Sequence, residues 1–143
     1  MSIIPKYTLD FRLQDVIALI QVLSFEETAL RTEDGLEIVI GKPKSSKKGN
    51  WEDIAVEHPE FFRFNKEVPF PFSLIARYAK PPKGNGQREV LSIDYVLCLL
   101  NLATTLHDKE IKRKENWKIW FPPIMAAIPG VISLLISLYI TLC

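Results

Sequence analysis

The sequence predicts an α+β fold: a winged-helix-like domain of three helices and a small antiparallel sheet, then a further helix or stalk and a single transmembrane helix. Segments of helical periodicity alternate with short apolar runs in the order helix, strand, helix, helix, strand, turn, strand, which is the winged-helix order. The last segment contains no charged residue. The predicted parts are a cytosolic domain at 1–80, a flexible connector at 81–91, a stalk at 92–118 and a transmembrane helix at 119–143.

The first two helices are predicted from periodicity and from capping residues. Apolar residues recur at helical spacing from Leu9 to Leu23, with polar residues between them. A brief strand is expected within 25–31. Thr32 offers a capping hydroxyl for a second helix, which Gly41 closes.

The third helix is predicted between Asn50, which can cap it, and Pro59, which ends it. His58 stands at the end of this helix. A lone histidine in that place more often caps backbone carbonyls than performs acid–base chemistry, so we interpret His58 as structural.

Two strands are predicted after the third helix, at 61–64 and 72–78, because both runs are rich in aromatic and branched residues. Pro69 and Pro71 mark the turn between them. The Pro- and Gly-containing loop that follows is the connector.

The next helix begins at Ser92, which can cap it, and is apolar on nearly every side between residues 95 and 103. A single small domain cannot cover such a helix, so we expect part of it to meet a second subunit or another protein. The residues predicted to make this contact are Tyr95, Val96, Leu99, Leu100, Leu102 and Leu106.

The apolar run at 119–143 is long enough to cross about 30 Å of hydrocarbon as a helix. Basic and tryptophan residues precede it, which favours a cytosolic soluble part, a C-terminus on the far side and contacts with lipid headgroups. The predicted headgroup contacts are Lys112, Arg113, Lys114, Trp117, Lys118 and Trp120. Small residues recur on one face of the span and predict self-association there. These are Ala126, Gly130, Ser133, Ser137 and Thr141.

Catalytic signals are sparse. No Cys/His spacing suits zinc, no glycine-rich turn opens a helix for phosphate, and no serine has an evident base nearby. We therefore predict no enzyme activity, no catalytic residue, no metal and no cofactor. The formal net charge is only +1, so the chain as a whole does not attract nucleic acid electrostatically. The two cysteines, Cys98 and Cys143, suit a reducing compartment.

Several segments resemble a family of small bacterial tail-anchored proteins. The similarity lies in 13–18, in His-Pro-Glu-Phe-Phe-Arg at 58–63, in 73–77 and in Leu106-His107 before the tryptophans. The resemblance implies a winged-helix-like cytosolic domain at the bacterial inner membrane and supplies no activity. The longer lysine-rich loop at 42–49 departs from the family pattern.

Nucleic-acid binding is disfavoured by the third helix. In winged-helix proteins this helix usually enters the major groove, but here it carries Glu52, Asp53 and Glu57 and no basic residue. A small anion remains conceivable as a ligand. Its candidate contacts are Lys42, Lys44, Lys47, Lys48, Arg63 and Arg77.

Two functions follow from these features. The first is a membrane-anchored scaffold or adaptor that assembles with itself or with a cytosolic protein. The alternative is an oligomeric effector, as in anti-phage defence, whose cytosolic domain senses a partner or a small anionic ligand and whose spans breach the membrane. A membrane-tethered DNA-binding regulator is the third and weakest hypothesis.

Overall fold

The computed structural model describes residues 6–26, 30–79, 81–83 and 88–142. The chain divides into two compact units, 1–107 and 108–143. The first is an α+β unit. The helices and strands, in chain order, are α1 (Arg12–Phe25), β1 (Leu30–Arg31), α2 (Glu33–Ile40), α3 (Trp51–Glu57), β2 (Phe62–Phe64), β3 (Phe72–Leu74) and α4 (Ile93–Leu142), with 3-10 helices at Lys6–Thr8 and Ile75–Tyr78.

The helix starts follow the predicted capping residues. The Thr32 hydroxyl accepts a hydrogen bond of 3.0 Å from the amide of Gly35 at the start of α2. At the start of α3, the side chain of Asn50 accepts one of 3.4 Å from the amide of Asp53. α2 ends at Gly41, whose φ of 73° is a left-handed conformation that glycine adopts without strain.

The three strands form one antiparallel sheet in the order β1-β3-β2. In its register, Leu30 lies opposite Ser73, and Ser73 lies opposite Arg63. The order of helices and strands in this unit is the predicted order. The winged-helix-like description itself is only loosely compatible with the structure.

The predicted third strand is too long, since β3 ends at Leu74 and a 3-10 helix follows. The amide of Ile75 bonds to the carbonyl of Phe61 at 2.9 Å, and the chain then turns so that Arg77 reaches the end of α1. A tertiary contact therefore overrides the strand propensity of residues 75–78.

The core of the first unit lies between α1, α2, α3 and the sheet. Its members are fully or almost fully buried apolar residues, most of them on α1, α3 and the strands. They include Val16, Leu19, Ile20, Leu23, Leu36, Trp51, Ile54, Phe61, Phe62, Phe72 and Leu74. Trp51 also donates from its indole nitrogen to the carbonyl of Gly41 at 2.9 Å, which ties α3 to the end of α2.

The predicted transmembrane helix is wrong. Among the residues that the structure describes, no helix is long and apolar enough to cross a membrane. The predictions of a tail anchor and of single-pass insertion in the inner membrane are therefore corrected as well. The backbone at 119–142 belongs to α4 and contains Pro122, Pro123 and Pro129. Each proline removes a backbone donor from the helix, and apolar composition alone was an insufficient criterion for a span.

Candidate functional site

The part of α4 that lies in the first unit, residues 93–107, packs against the core of that unit through one face. Val96 and Ala103 are buried on this face, and Leu99, Leu100 and Leu106 are partly buried against the core. Four of the six residues predicted to contact a partner are thus placed wholly or partly on their own domain. The two others, Tyr95 and Leu102, are each 45% exposed.

Along one border of this face, apolar side chains follow each other at steps of four, three and four residues. They are Tyr95, Leu99, Leu102 and Leu106, which we call the α4 seam. This is the spacing at which one helix presents a continuous line of knobs to another helix. The domain covers the seam only in part, so the seam is the candidate functional site.

The surroundings of the seam carry little polarity. The hydroxyl of Thr105 donates to the carbonyl of Asn101 at 2.8 Å, and that of Thr104 to the carbonyl of Leu100 at 3.0 Å. These hydroxyls are already satisfied within the helix. Cys98, directly before Leu99, is exposed, and Leu97 is 52% exposed.

A partly buried polar cluster joins the 3-10 helix at Lys6–Thr8 to the end of α3. Oε1 of Glu60 accepts a hydrogen bond of 2.6 Å from the Tyr7 hydroxyl and lies 3.1 Å from Nδ1 of His58. Lys6 pairs with the other oxygen of Glu60 at 2.6 Å. The ring of Tyr7 stands edge-on to His58, with 4.5 Å between the ring centroids.

Burial and hydrogen bonding set the charges in this cluster. Burial lowers the pKa of His58, and the neighbouring Glu60 opposes this shift only in part. Burial would raise the pKa of Glu60, but hydrogen bonds from His58, Lys6 and Tyr7 hold the pKa of this carboxyl well below its usual range. Neutral His58 thus donates to a charged carboxylate.

The same cluster is poorly suited to catalysis. The His58 side chain is fully buried, and its Nε2 atom has no hydrogen-bond partner among the described residues. A ring without solvent contact cannot meet a dissolved substrate. The His58 side chain bonds to Glu60 rather than to helix carbonyls, while its backbone amide donates to the carbonyl of Ile54 at 3.1 Å at the end of α3.

Two of the four lysines in the 42–49 loop lie close to acids of their own domain. Lys42 lies 3.9 Å from Glu37, and Lys48 lies 3.7 Å from Asp53. Lys44 lies over the ring of Phe11, 5.6 Å from its centroid, and Lys47 is exposed. Three of the four lysines predicted to contact an anion therefore have neighbours within the domain.

The two arginines predicted to contact an anion have different surroundings. Arg77 is buried, and its guanidinium donates to the carbonyls of Leu23 at 3.2 Å and Arg88 at 2.8 Å, and also to Glu26. It therefore closes the C-terminal end of α1. Arg63 is exposed on β2.

The acids of α3 are also neutralised within the domain. Glu52 pairs with Lys66, and Glu57 lies 3.0 Å from the buried guanidinium of Arg12. These pairs leave α3 without the positive surface that contact with nucleic-acid phosphates needs.

The remaining predicted sites belong to the second unit. Lys112, Arg113 and Lys114 are exposed, and Gly130 has open space around it. The side chains of Trp117, Lys118, Trp120, Ala126, Ser133, Ser137 and Thr141 lie outside those that the structure describes.

No protein-family model, no curated protein and no solved structure matches the chain. The resemblance to small bacterial proteins therefore stays a prediction. Sequence reasoning did not find the contact of Tyr7 with Glu60, because the two residues lie far apart in the chain and tyrosine near a chain start carries no motif. The His-Pro-Glu spacing at 58–60 was the signal that could have indicated a polar cluster.

Proposed function

We propose that the chain is a non-enzymatic assembly module that pairs with a second copy of itself through the α4 seam. The carrying observation is that Tyr95 and Leu102 stay 45% exposed while their spacing continues that of Leu99 and Leu106. Burying apolar surface of this kind contributes roughly 25 cal/mol per Å², and the seam gains this only when another helix covers it.

A second copy fits the charge of this surface. Neither the seam nor the positions directly beside it, Val96, Cys98, Ala103 and Thr105, carry a charged side chain. Between residues 95 and 106, two copies can therefore approach without like-charge repulsion, and this part of the contact would have the apolar character of homodimer interfaces. An acidic or basic partner would find no complementary charge there.

Other classes of function receive less support. The ring of His58 is fully buried, which argues against acid–base catalysis at this histidine. The acids of α3 argue against contact with a DNA backbone. Self-assembly, in contrast, uses a partly exposed apolar feature of the domain, the α4 seam.

The test is the mass of the full-length chain by light scattering over a range of concentrations. Leu102→Glu places a charge in the seam and is expected to give a monomer. Asn101→Glu places the same charge on the adjacent exposed position outside the seam and is expected to leave the oligomer intact. A wild-type monomer at every concentration, or equal dissociation by both variants, would rule out the proposal.

Cys98 supplies a second measurement because it is exposed beside the seam. In a Cys143→Ser background, mild oxidation should link two copies through Cys98, and Leu102→Glu should suppress this link. Linking that proceeds equally in the variant would mean that copies meet elsewhere.

A further inference from the structure

A groove of about 300 Å³ lies on one side of the sheet in the first unit. Leu30, Ser73 and Arg63, which lie opposite one another on β1, β3 and β2, all line it. The loop between β2 and β3 (65–71, the wing) supplies further lining residues, among them Val68 and Phe70. A cross-strand row and a loop therefore enclose a cleft of the size that small ligands and peptide side chains occupy.

Hydrogen bonds within the wing keep this groove formed. The amide of Asn65 donates to the carbonyl of Pro71 at 3.0 Å and closes the loop. The side-chain oxygen of Asn65 accepts from the amide of Glu67 at 3.0 Å. Pro69 and Pro71 fix two further backbone angles, so a ligand would not have to order the loop on binding.

The groove presents apolar side chains that the core does not cover. Phe70 is 51% exposed and Val68 is 43% exposed. Val68 and Phe70 lie on either side of Pro69 in the sequence Val-Pro-Phe-Pro. Exposed aromatic and branched residues around a formed cleft are typical of a recognition surface.

The groove also contains the cation Arg63, for which the part of the chain that the structure describes supplies no counter-charge. Within the described ranges, no carboxylate pairs with Arg63, and none of the residues lining the groove is acidic. Neighbouring cations behave differently: Lys66 pairs with Glu52, and Arg31 pairs with Glu26. The guanidinium of Arg63 is therefore available for a bidentate bond to a carboxylate.

We infer that this groove binds a short peptide segment of a partner protein in which an acidic side chain adjoins an aromatic or branched apolar one. The carboxylate would pair with Arg63, and the apolar side chain would contact Phe70 and Val68. The inference does not depend on pairing through the α4 seam, which uses other residues. Together the two surfaces would let an assembly display several copies of one peptide-binding groove.

The experiment measures fluorescence anisotropy of two labelled probes, acetyl-Glu-Glu-Phe-Leu-amide and its counterpart with lysine in place of glutamate, against the full-length chain. Because a bond between Arg63 and a carboxylate is charge-assisted, whereas a lysine is repelled by the guanidinium, the acidic probe should bind at least about tenfold more tightly than the basic one. Equal binding of the two probes, or binding of neither, would overturn the inference.

Two variants locate the site. Arg63→Glu should remove the preference for the acidic probe and shift it toward the basic one. Lys47→Glu makes the same charge change on an exposed loop lysine outside the groove and should leave the preference intact. If both variants weaken binding alike, the probe senses net charge only and the groove is not the site.

Phe70→Ser tests the apolar part of the contact and should weaken binding of the acidic probe at least several-fold. A decathymidine oligonucleotide is included as a polyanion without apolar side chains. If it competes with the acidic probe at comparable concentration, the surface recognises polyanions in general and the peptide inference fails. Circular dichroism of each variant confirms that the fold is retained before binding is compared.

Discussion

The Tyr7 hydroxyl donates a hydrogen bond of 2.6 Å to Oε1 of Glu60, although the two residues lie 53 positions apart. This bond fastens the 3-10 helix at Lys6–Thr8 to the chain that leaves α3. The same carboxylate also accepts a hydrogen bond from His58 and pairs with Lys6. Three donors on one partly buried carboxylate make the fold sensitive to its protonation.

The first prediction concerns the acid limit of stability. The folded-state pKa of Glu60 lies below its ordinary value of about 4.3, so its stabilising effect is complete above that value and is lost as the pH falls toward the folded pKa. Glu60→Gln should flatten the loss of unfolding free energy between about pH 5 and pH 3. Urea unfolding at several pH values measures this. Glu67→Gln, an exposed carboxylate in the wing, should behave as the wild type.

The second prediction concerns the same cluster nearer neutrality. The folded-state pKa of His58 is lowered, so below its ordinary value of about 6.5 the unfolded chain takes up a proton that the folded chain does not. Stability should therefore fall as the pH drops from about 7.5 to about 5.5. His58→Asn should lessen this slope in urea unfolding. An unchanged slope in His58→Asn would contradict a neutral buried imidazole.

The third prediction distinguishes the two arginines of the sheet region. Arg77→Met removes donors from several backbone carbonyls at the end of α1 and should cost about 3 kcal/mol of unfolding free energy. Arg63→Met removes an exposed side chain and should change it by about 0.5 kcal/mol or less. Urea midpoints compare the two variants directly. Similar losses would mean that Arg63 is also structural.

The fourth prediction concerns the lysine-rich loop. Asp15 is buried and accepts hydrogen bonds from the amides of Lys44 at 3.2 Å and Ser45 at 2.7 Å. Asp15→Ala should release the loop and accelerate cleavage after Lys47 or Lys48 under limited trypsin digestion. Asp10→Ala, an exposed aspartate just before α1, serves as the matched control. Equal cleavage rates would show that other contacts hold the loop.

The parts of the fold that could be predicted depend on neighbours in sequence. Thr32 and Asn50 cap their helices through bonds to amides three residues away, so local pattern was sufficient. The role of Arg77 was missed because its carbonyl partners come from α1 and from residues 88–89, which no local pattern indicates.

The candidate site was predictable only in outline. An excess of apolar residues on α4 predicted a contact surface, but the sequence did not show which face the domain itself would cover. Val96 and Leu100 pack on the core, while Tyr95 and Leu102 do not. For the apolar run at 119–143, composition led to too strong a prediction. It predicted a transmembrane helix, which the described residues do not contain.

The loop at 42–49 is fastened at both sides of its tip. Before the tip, Asp15 accepts hydrogen bonds from the amides of Lys44 and Ser45. After it, the amides of Gly49 and Asn50 donate to the carbonyl and the hydroxyl of Ser46, each at 3.3 Å, which leaves Lys47 and Lys48 at the tip. Extra residues inserted between these two lysines would lie outside both fastenings, and the entropy of closing a longer loop rises only slowly with its length. The domain thereby offers a place for an internal epitope or a reporter peptide, so that its copies can be followed without altering either end of the chain.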